Sequence, residues 1–277
     1  MNTPPPDDES PSPPRDLWID HPRGRLFARR WSPAQAPRAL APIVLFHDSL
    51  GCVDLWRGLP ARLCEATARP VIAYDRLGFG RSEAREGRPP LDFIAEEARE
   101  FFPALRGQLG IGRFVALGHS VGGGMAIECA ARFARDCEAL VTIAAQVFPE
   151  DRTLAGIRRA REQFRDPAQV QRLMKYHGDK APWVLDAWIE RWLDPAFAPW
   201  SLAGVLPGVA CPVLAIHGGQ DEYGSTRHPR RIGELAAGAA EVTILPGAGH
   251  VPHREDEPGL LALAARFLAG TAGPAAR

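Results

Sequence analysis

The stretch Phe114-Val115-Ala116-Leu117-Gly118-His119-Ser120-Val121-Gly122-Gly123-Gly124 carries an apolar strand pattern straight into G-x-S-x-G and then into a helix pattern. A serine on a sharp strand-to-helix turn needs small neighbours, because the turn is strained and adjoining backbone passes close by. Gly118 and Gly122 meet that need. The hydroxyl of Ser120 then projects at a helix N-terminus. The flanking strand and helix carry the reading, since the five letters alone recur by chance in glycine-rich turns.

Outward from that turn, short apolar runs bounded by turn residues alternate with longer segments of helical spacing. The runs at 25–31, 42–47, 70–75, 113–118, 139–145, 212–217 and 241–245 are mostly rich in Val, Ile, Leu and Phe and predict strands, with an edge strand at 17–20. Segments 91–109, 122–135 and 260–269 have the apolar spacing and end residues of helices. This alternation predicts an α/β fold: a mostly parallel central sheet with helices on both faces. It breaks at 148–207, where helix-like segments follow one another without a strand. That stretch is expected to be a helical lid inserted into a core domain of residues 17–147 and 208–277. Val184, Leu185, Trp188, Ile189, Trp192 and Leu193 give the lid an apolar stripe to bury.

With 277 residues the chain is long enough for one large α/β unit, and its 45% hydrophobic and 24% charged residues are ordinary globular usage. Lys plus Arg equals Asp plus Glu at 33 each, which argues against a basic nucleic-acid surface or a polybasic membrane anchor. A small-molecule substrate is the expected partner, with neither nucleic acid nor membrane. The five cysteines are odd in number, widely spaced, and show no metal-ligand spacing, so no metal is expected and the thiols read as reduced. Residues 1–16 hold six prolines and the acidic run Asp7-Asp8-Glu9 without an apolar core. They read as a disordered tail rather than a secretory signal or a span, and a cytoplasmic location is expected.

A serine alone is a poor nucleophile, so the turn calls for a base and an orienting acid further along the chain. Val213-Leu214-Ala215-Ile216-His217-Gly218-Gly219-Gln220-Asp221-Glu222 is a strand running into a glycine turn with two carboxylates. Ile244-Leu245-Pro246-Gly247-Ala248-Gly249-His250 repeats the arrangement with a histidine. Both sets fall at the carboxyl ends of strands, where ligand chemistry collects in open α/β sheets. Other histidines compete with His250: His217 suits a hydrogen-bonded structural role, His47 and His119 lie beside turns, and His253 is a fallback base.

Taken in their joint order, these segments resemble the α/β-hydrolase family, and the likeness extends from Pro42 to Pro258. Tyr74-Asp75-Arg76-Leu77-Gly78-Phe79-Gly80-Arg81-Ser82 is similar to the family's D-x-x-G-x-G-x-S loop. The resemblance implies Ser120 as nucleophile, His250 as general base and Asp221, rather than Glu222, as the acid. It also implies an oxyanion hole made by the backbone N–H groups of Ser49 and Val121. The family commonly has His-Gly where this chain has His47-Asp48, so Asp48 brings a carboxylate beside the expected oxyanion donor; its plainer role is that of a turn cap. The missing HGGG run argues against the hormone-sensitive-lipase branch, and serine on the turn argues against haloalkane dehalogenases.

The resemblance thus leads to the expectation of a carboxylesterase-like serine hydrolase that opens an ester or lactone through an acyl-enzyme, without a cofactor. The same three residues also serve thioesterases, amidases, carbon-carbon bond hydrolases and cofactor-independent perhydrolases or oxygenases, and the fold serves ligand-binding receptors. Phe148, Phe164, Tyr176, Trp183, Trp188, Trp192, Phe197 and Trp200 suggest either an apolar or aromatic substrate or simple packing of the lid. His177, Asp179 and Lys180 could add polar specificity or merely end a helix.

Overall fold

A computed structural model describes residues 13–34 and 40–271, and residues 1–12 of the expected tail lie outside it. Its centre is an eight-stranded sheet in the order β1-β2-β4-β3-β5-β6-β7-β8. The strands are β1 (Arg15–Ile19), β2 (Leu26–Trp31), β3 (Ile43–Phe46), β4 (Val71–Tyr74), β5 (Phe114–His119), β6 (Cys137–Ile143), β7 (Val213–Gly218) and β8 (Ala240–Leu245). β1 and β2 run antiparallel at one edge, β2 is also antiparallel to β4, and every other pairing is parallel. The first strand thus begins at Arg15, inside the stretch expected to be tail.

Strands β3, β4, β5 and β7 are buried at every position, which explains their unbroken apolar runs: both faces are covered. On one face lie α1 (Leu59–Thr67) and α10 (Glu257–Thr271), which pack Leu59, Leu63, Leu260, Ala264 and Leu268 against the inner strands. On the other lie α2 (Phe93–Glu96), α3 (Phe102–Leu109), α4 (Val121–Arg132) and α8 (Arg227–Leu235), with Ile94, Leu105, Met125 and Ile232 in a second core.

Of the boundaries that differ from expectation, two have a clear local cause. The helix expected over 91–109 is interrupted by a π turn (Glu97–Phe101), and Pro103 in the first turn of α3 lacks the N–H that would continue an α ladder there. The strand expected over 139–145 ends instead at Ile143, because Ala144 takes φ 48° while its N–H still bonds Ile216 O at 2.8 Å.

Between β6 and β7 come α5 (Asp151–Gln163), α6 (Pro167–His177) and α7 (Ala181–Trp192), with no strand among the described residues. Val184, Leu185, Ile189 and Trp192 of α7 are buried, and Trp188 and Leu193 pack half-buried beside them. A short helix α9 (Pro252–Glu255) precedes α10. No helix of the described residues is long and apolar enough to cross a membrane.

Candidate active site

Ser120 sits between β5 and α4 with φ 56° and ψ −126°, a left-handed conformation that costs about 1–3 kcal/mol and must be held by its surroundings. Its N–H bonds Ile143 O at 2.9 Å, and Gly123 N–H bonds its carbonyl at 2.9 Å. A Cβ on Gly118 would lie 2.1 Å from Gly122 O, and one on Gly122 would lie 2.1 Å from Phe46 O. Glycine is therefore required at both positions, as the sequence pattern implies.

The hydroxyl of Ser120 lies 2.9 Å from His250 Nε2, and His250 Nδ1 lies 2.9 Å from Asp221 Oδ2. Asp221 is fully buried, and its other oxygen accepts from Tyr223 N at 2.7 Å and Gly224 N at 3.0 Å. His217 stands 3.3 Å from the same carboxylate and bonds Gly224 O at 3.1 Å, the structural role expected of it. Glu222, the competing acid, is exposed. Burial pushes the Asp221 carboxyl up, but the hydrogen bond and charge of His250, with His217, hold it below the ordinary range. Burial likewise pulls the His250 ring down, yet Asp221, helped by Asp48 and Glu222, leaves it above its ordinary 6.5. A basic imidazole on a serine hydroxyl, backed by an ionised carboxylate, can take the hydroxyl proton and keep it.

The loop after β3 meets this turn. Asp48 Oδ1 accepts from Leu50 N at 2.8 Å, Oδ2 faces His119 Nδ1 at 3.1 Å, and the carbonyl takes Gly51 N–H and an Arg76 Nη2 donor. Asp48 is thus a turn cap, and His119 brings it down well below the carboxylate range against its burial. His47 accepts Arg76 N–H on Nε2 and donates from Nδ1 to Asp48 O, which fixes the loop from behind. Ser49 lines the cavity above Ser120. Val121 is the first residue of α4, whose leading N–H groups have no partner within the helix.

That cavity, of about 200 Å³, has Leu50, Leu55, Ile157, Trp188, Trp192 and Val251 as apolar walls, and Ser120, Gln146, Thr153, Tyr223, His250 and Arg254 as polar or mixed ones. Of the aromatic residues noted between 148 and 207, only Trp188 and Trp192 reach it. Phe197 and Trp200 stack on each other at 5.2 Å, and Trp183 packs on Phe79. His177 is turned away from the cavity: Nδ1 accepts Gly80 N–H at 2.9 Å and Nε2 donates to Leu50 O at 3.0 Å, so it pins α6 to two loops. Neither Asp179 nor Lys180 lines the cavity. His253 is buried against Trp56 and His119, pushed down to about 2 by burial and the neighbouring charge, and makes no bond to Ser120.

Gln146 is a site residue that the sequence pattern did not single out. Its Oε1 lies 3.3 Å from Ser120 Oγ, and it is almost fully buried. The rule that drew attention to Asp221, a polar residue just past the end of a parallel strand, would have drawn attention to Gln146 as well.

Over 118 residues the chain is 36% identical to human 1-acylglycerol-3-phosphate O-acyltransferase ABHD5, a match covering 41% of this chain and 32% of that protein. The chain therefore spans about a third of that relative's length. Proline iminopeptidase of Mycobacterium smegmatis shares the fold with a TM-score of 0.74 at 22% identity, covering 93% of this chain and 98% of that one. The enol-lactonase of Burkholderia xenovorans does so with a TM-score of 0.68 at 20% identity, over 91% and 100%. The alpha/beta hydrolase family model matches residues 43–264, from the start of β3 into α10, and the chain belongs to that family.

Proposed function

We propose that the protein is a serine hydrolase that cleaves a carboxylic ester or lactone of a small, largely apolar or aromatic substrate. The observation that carries this reading is the relay from Ser120 Oγ to His250 Nε2 and from Nδ1 to Asp221, 2.9 Å at each step, at the floor of a cavity. His250 takes the proton of Ser120 as Oγ bonds the carbonyl carbon and the carbonyl electron pair moves onto oxygen. The Ser49 and Val121 N–H groups receive that oxyanion. Collapse expels the alcohol oxygen, which leaves with the proton from His250, and an acyl-Ser120 remains. Water, deprotonated by the same ring, then releases the acid. No metal or organic cofactor enters the scheme.

In this reading residues 148–207 act as a lid on a core of 17–147 and 208–277, since α5 and α7 supply Ile157, Trp188 and Trp192 to the cavity. A cytoplasmic setting fits the five free thiols. Among the described residues the one carboxylate lining the cavity is Asp48, both of whose oxygens are engaged. A substrate amine therefore finds no free counter-charge there, which favours an ester or lactone over a peptide amine. The test is hydrolysis of a short p-nitrophenyl ester: the wild type turns it over, and Ser120→Ala loses on the order of a thousandfold or more while staying folded. Near-wild-type turnover by folded Ser120→Ala overturns the proposal.

A further inference from the structure

His119 stands between three loops, each at the carboxyl end of a parallel strand. Its Nδ1 faces Asp48 Oδ2 at 3.1 Å in the loop after β3, and its Nε2 faces His250 O at 2.8 Å in the loop after β8. Its own backbone ends β5 and leads into the turn of Ser120. A backbone carbonyl can only accept, so Nε2 carries a hydrogen; an ionised carboxylate can only accept, so Nδ1 carries one too. The side chain is 2% exposed, and water supplies no substitute for either partner. Asp48 also sets a negative charge beside Ser49, whose N–H is the proposed oxyanion donor. At the wall of the cavity, where the Asp48 side chain is 25% exposed, an uncompensated carboxylate would oppose the charge that develops on the substrate oxygen.

We infer that Asp48 and His119 form a second carboxylate–imidazolium pair, which cancels the charge of the oxyanion loop and fixes that loop to the nucleophile turn and to the backbone of the base. Both are positioning residues, and their effect on catalysis rests on the hydrolase reading above. Asp48 Oδ1 also accepts from Leu50 N–H at 2.8 Å and the Arg76 guanidinium lies beside the loop, both of which favour the ionised carboxylate over the arrangement with the proton on Asp48 and a neutral ring. The other titratable and charged groups facing the pair are consistent with it. Arg76 donates to Asp48 O at 2.8 Å, and the His250 and His253 rings stand 5.2 and 4.6 Å from His119. His253 stays neutral beside the cation.

Two measurements test the pair. Long-range proton–nitrogen correlation spectra of the ¹⁵N-labelled wild type, assigned by the signal that His119→Gln removes, should show both His119 nitrogens protonated at neutral pH, with His47 and His177 as single neutral tautomers. A neutral His119 overturns the inference, whatever the enzyme hydrolyses. In kinetics with the p-nitrophenyl ester, His119→Gln keeps a donor for His250 O but leaves Asp48 unbalanced. It should lower kcat about tenfold or more with KM little changed. Adding Asp48→Asn to His119→Gln removes the unbalanced charge and should restore most of that loss. A double variant no better than the product of the two single effects contradicts charge compensation. If His119→Gln does not fold, the spectrum still decides, with His119 assigned from Asp48→Asn. Turnover that survives Ser120→Ala would instead sink the hydrolase reading and leave the charge of His119 standing.

Discussion

At the scale of single residues, the proposed acid and base are set apart from their rivals by burial and reach. Asp221 is fully buried on His250, whereas Glu222, the next residue, is exposed and supplies only distant charge. Asp221→Asn should therefore cut kcat by on the order of a thousandfold, since an amide favours the wrong tautomer and cannot stabilise the imidazolium. Glu222→Gln should stay near wild type in the same assay, and equal effects would mean that the acid is misassigned. The proposed base acts when neutral, and Asp221 holds its ring above the ordinary 6.5. A pH profile of kcat/KM should thus rise through an ionisation above that value; a profile flat across the histidine range contradicts the role of His250. The candidates Ser120, Asp221 and His250 could be singled out in the sequence because each follows its strand within a few residues. The His119–Asp48 contact could not, because its partners lie 71 positions apart and only the packing of two loops brings them together.

At the scale of elements, the inner strands were readable to within a few residues because burial on both faces leaves an unbroken apolar run. The end of β6 and the break in the helix over 91–109 were not readable in the same way: each turns on one backbone feature, the positive φ of Ala144 and the missing N–H of Pro103. Periodicity also could not sort the aromatic residues of 148–207, since helical spacing shows which face is apolar and not what covers it. The structure sorts them, and the sorting can be measured. Trp188 lines the cavity and packs 5.9 Å from Tyr223, so Trp188→Ala should raise KM for an aromatic ester several-fold with a smaller change in kcat. Phe197 is buried between Phe93, Trp192 and Trp200 and does not itself line the cavity. Phe197→Ala should cost about 3–5 kcal/mol in denaturant unfolding while the folded fraction keeps its KM. The opposite pattern, with KM moved by Phe197 and stability by Trp188, would refute this division of the helices.

At the scale of the whole molecule, the sheet order places the candidate site. β3 has β4 on one side and β5 on the other, so the connections from β3 and β5 leave in opposite directions and open a crevice at their carboxyl ends. The loop of Asp48 and Ser49 and the turn of Ser120 meet in that crevice, and the loops after β7 and β8 bring Asp221 and His250 to it. The order of motifs along the chain made the fold legible, while the cavity depends on helices whose arrangement the sequence does not show. The central claim is that Ser120 carries the acyl group of the substrate. It is tested most directly by quenching the enzyme in acid during turnover of a p-nitrophenyl ester and mapping the adduct by peptide mass spectrometry. The account predicts a burst of p-nitrophenol with one acyl group per chain on the peptide containing Ser120, and no adduct in Ser120→Ala. Turnover with no acylated peptide in a quench early enough to resolve the burst, or an acyl group on another residue that persists in Ser120→Ala, would contradict it.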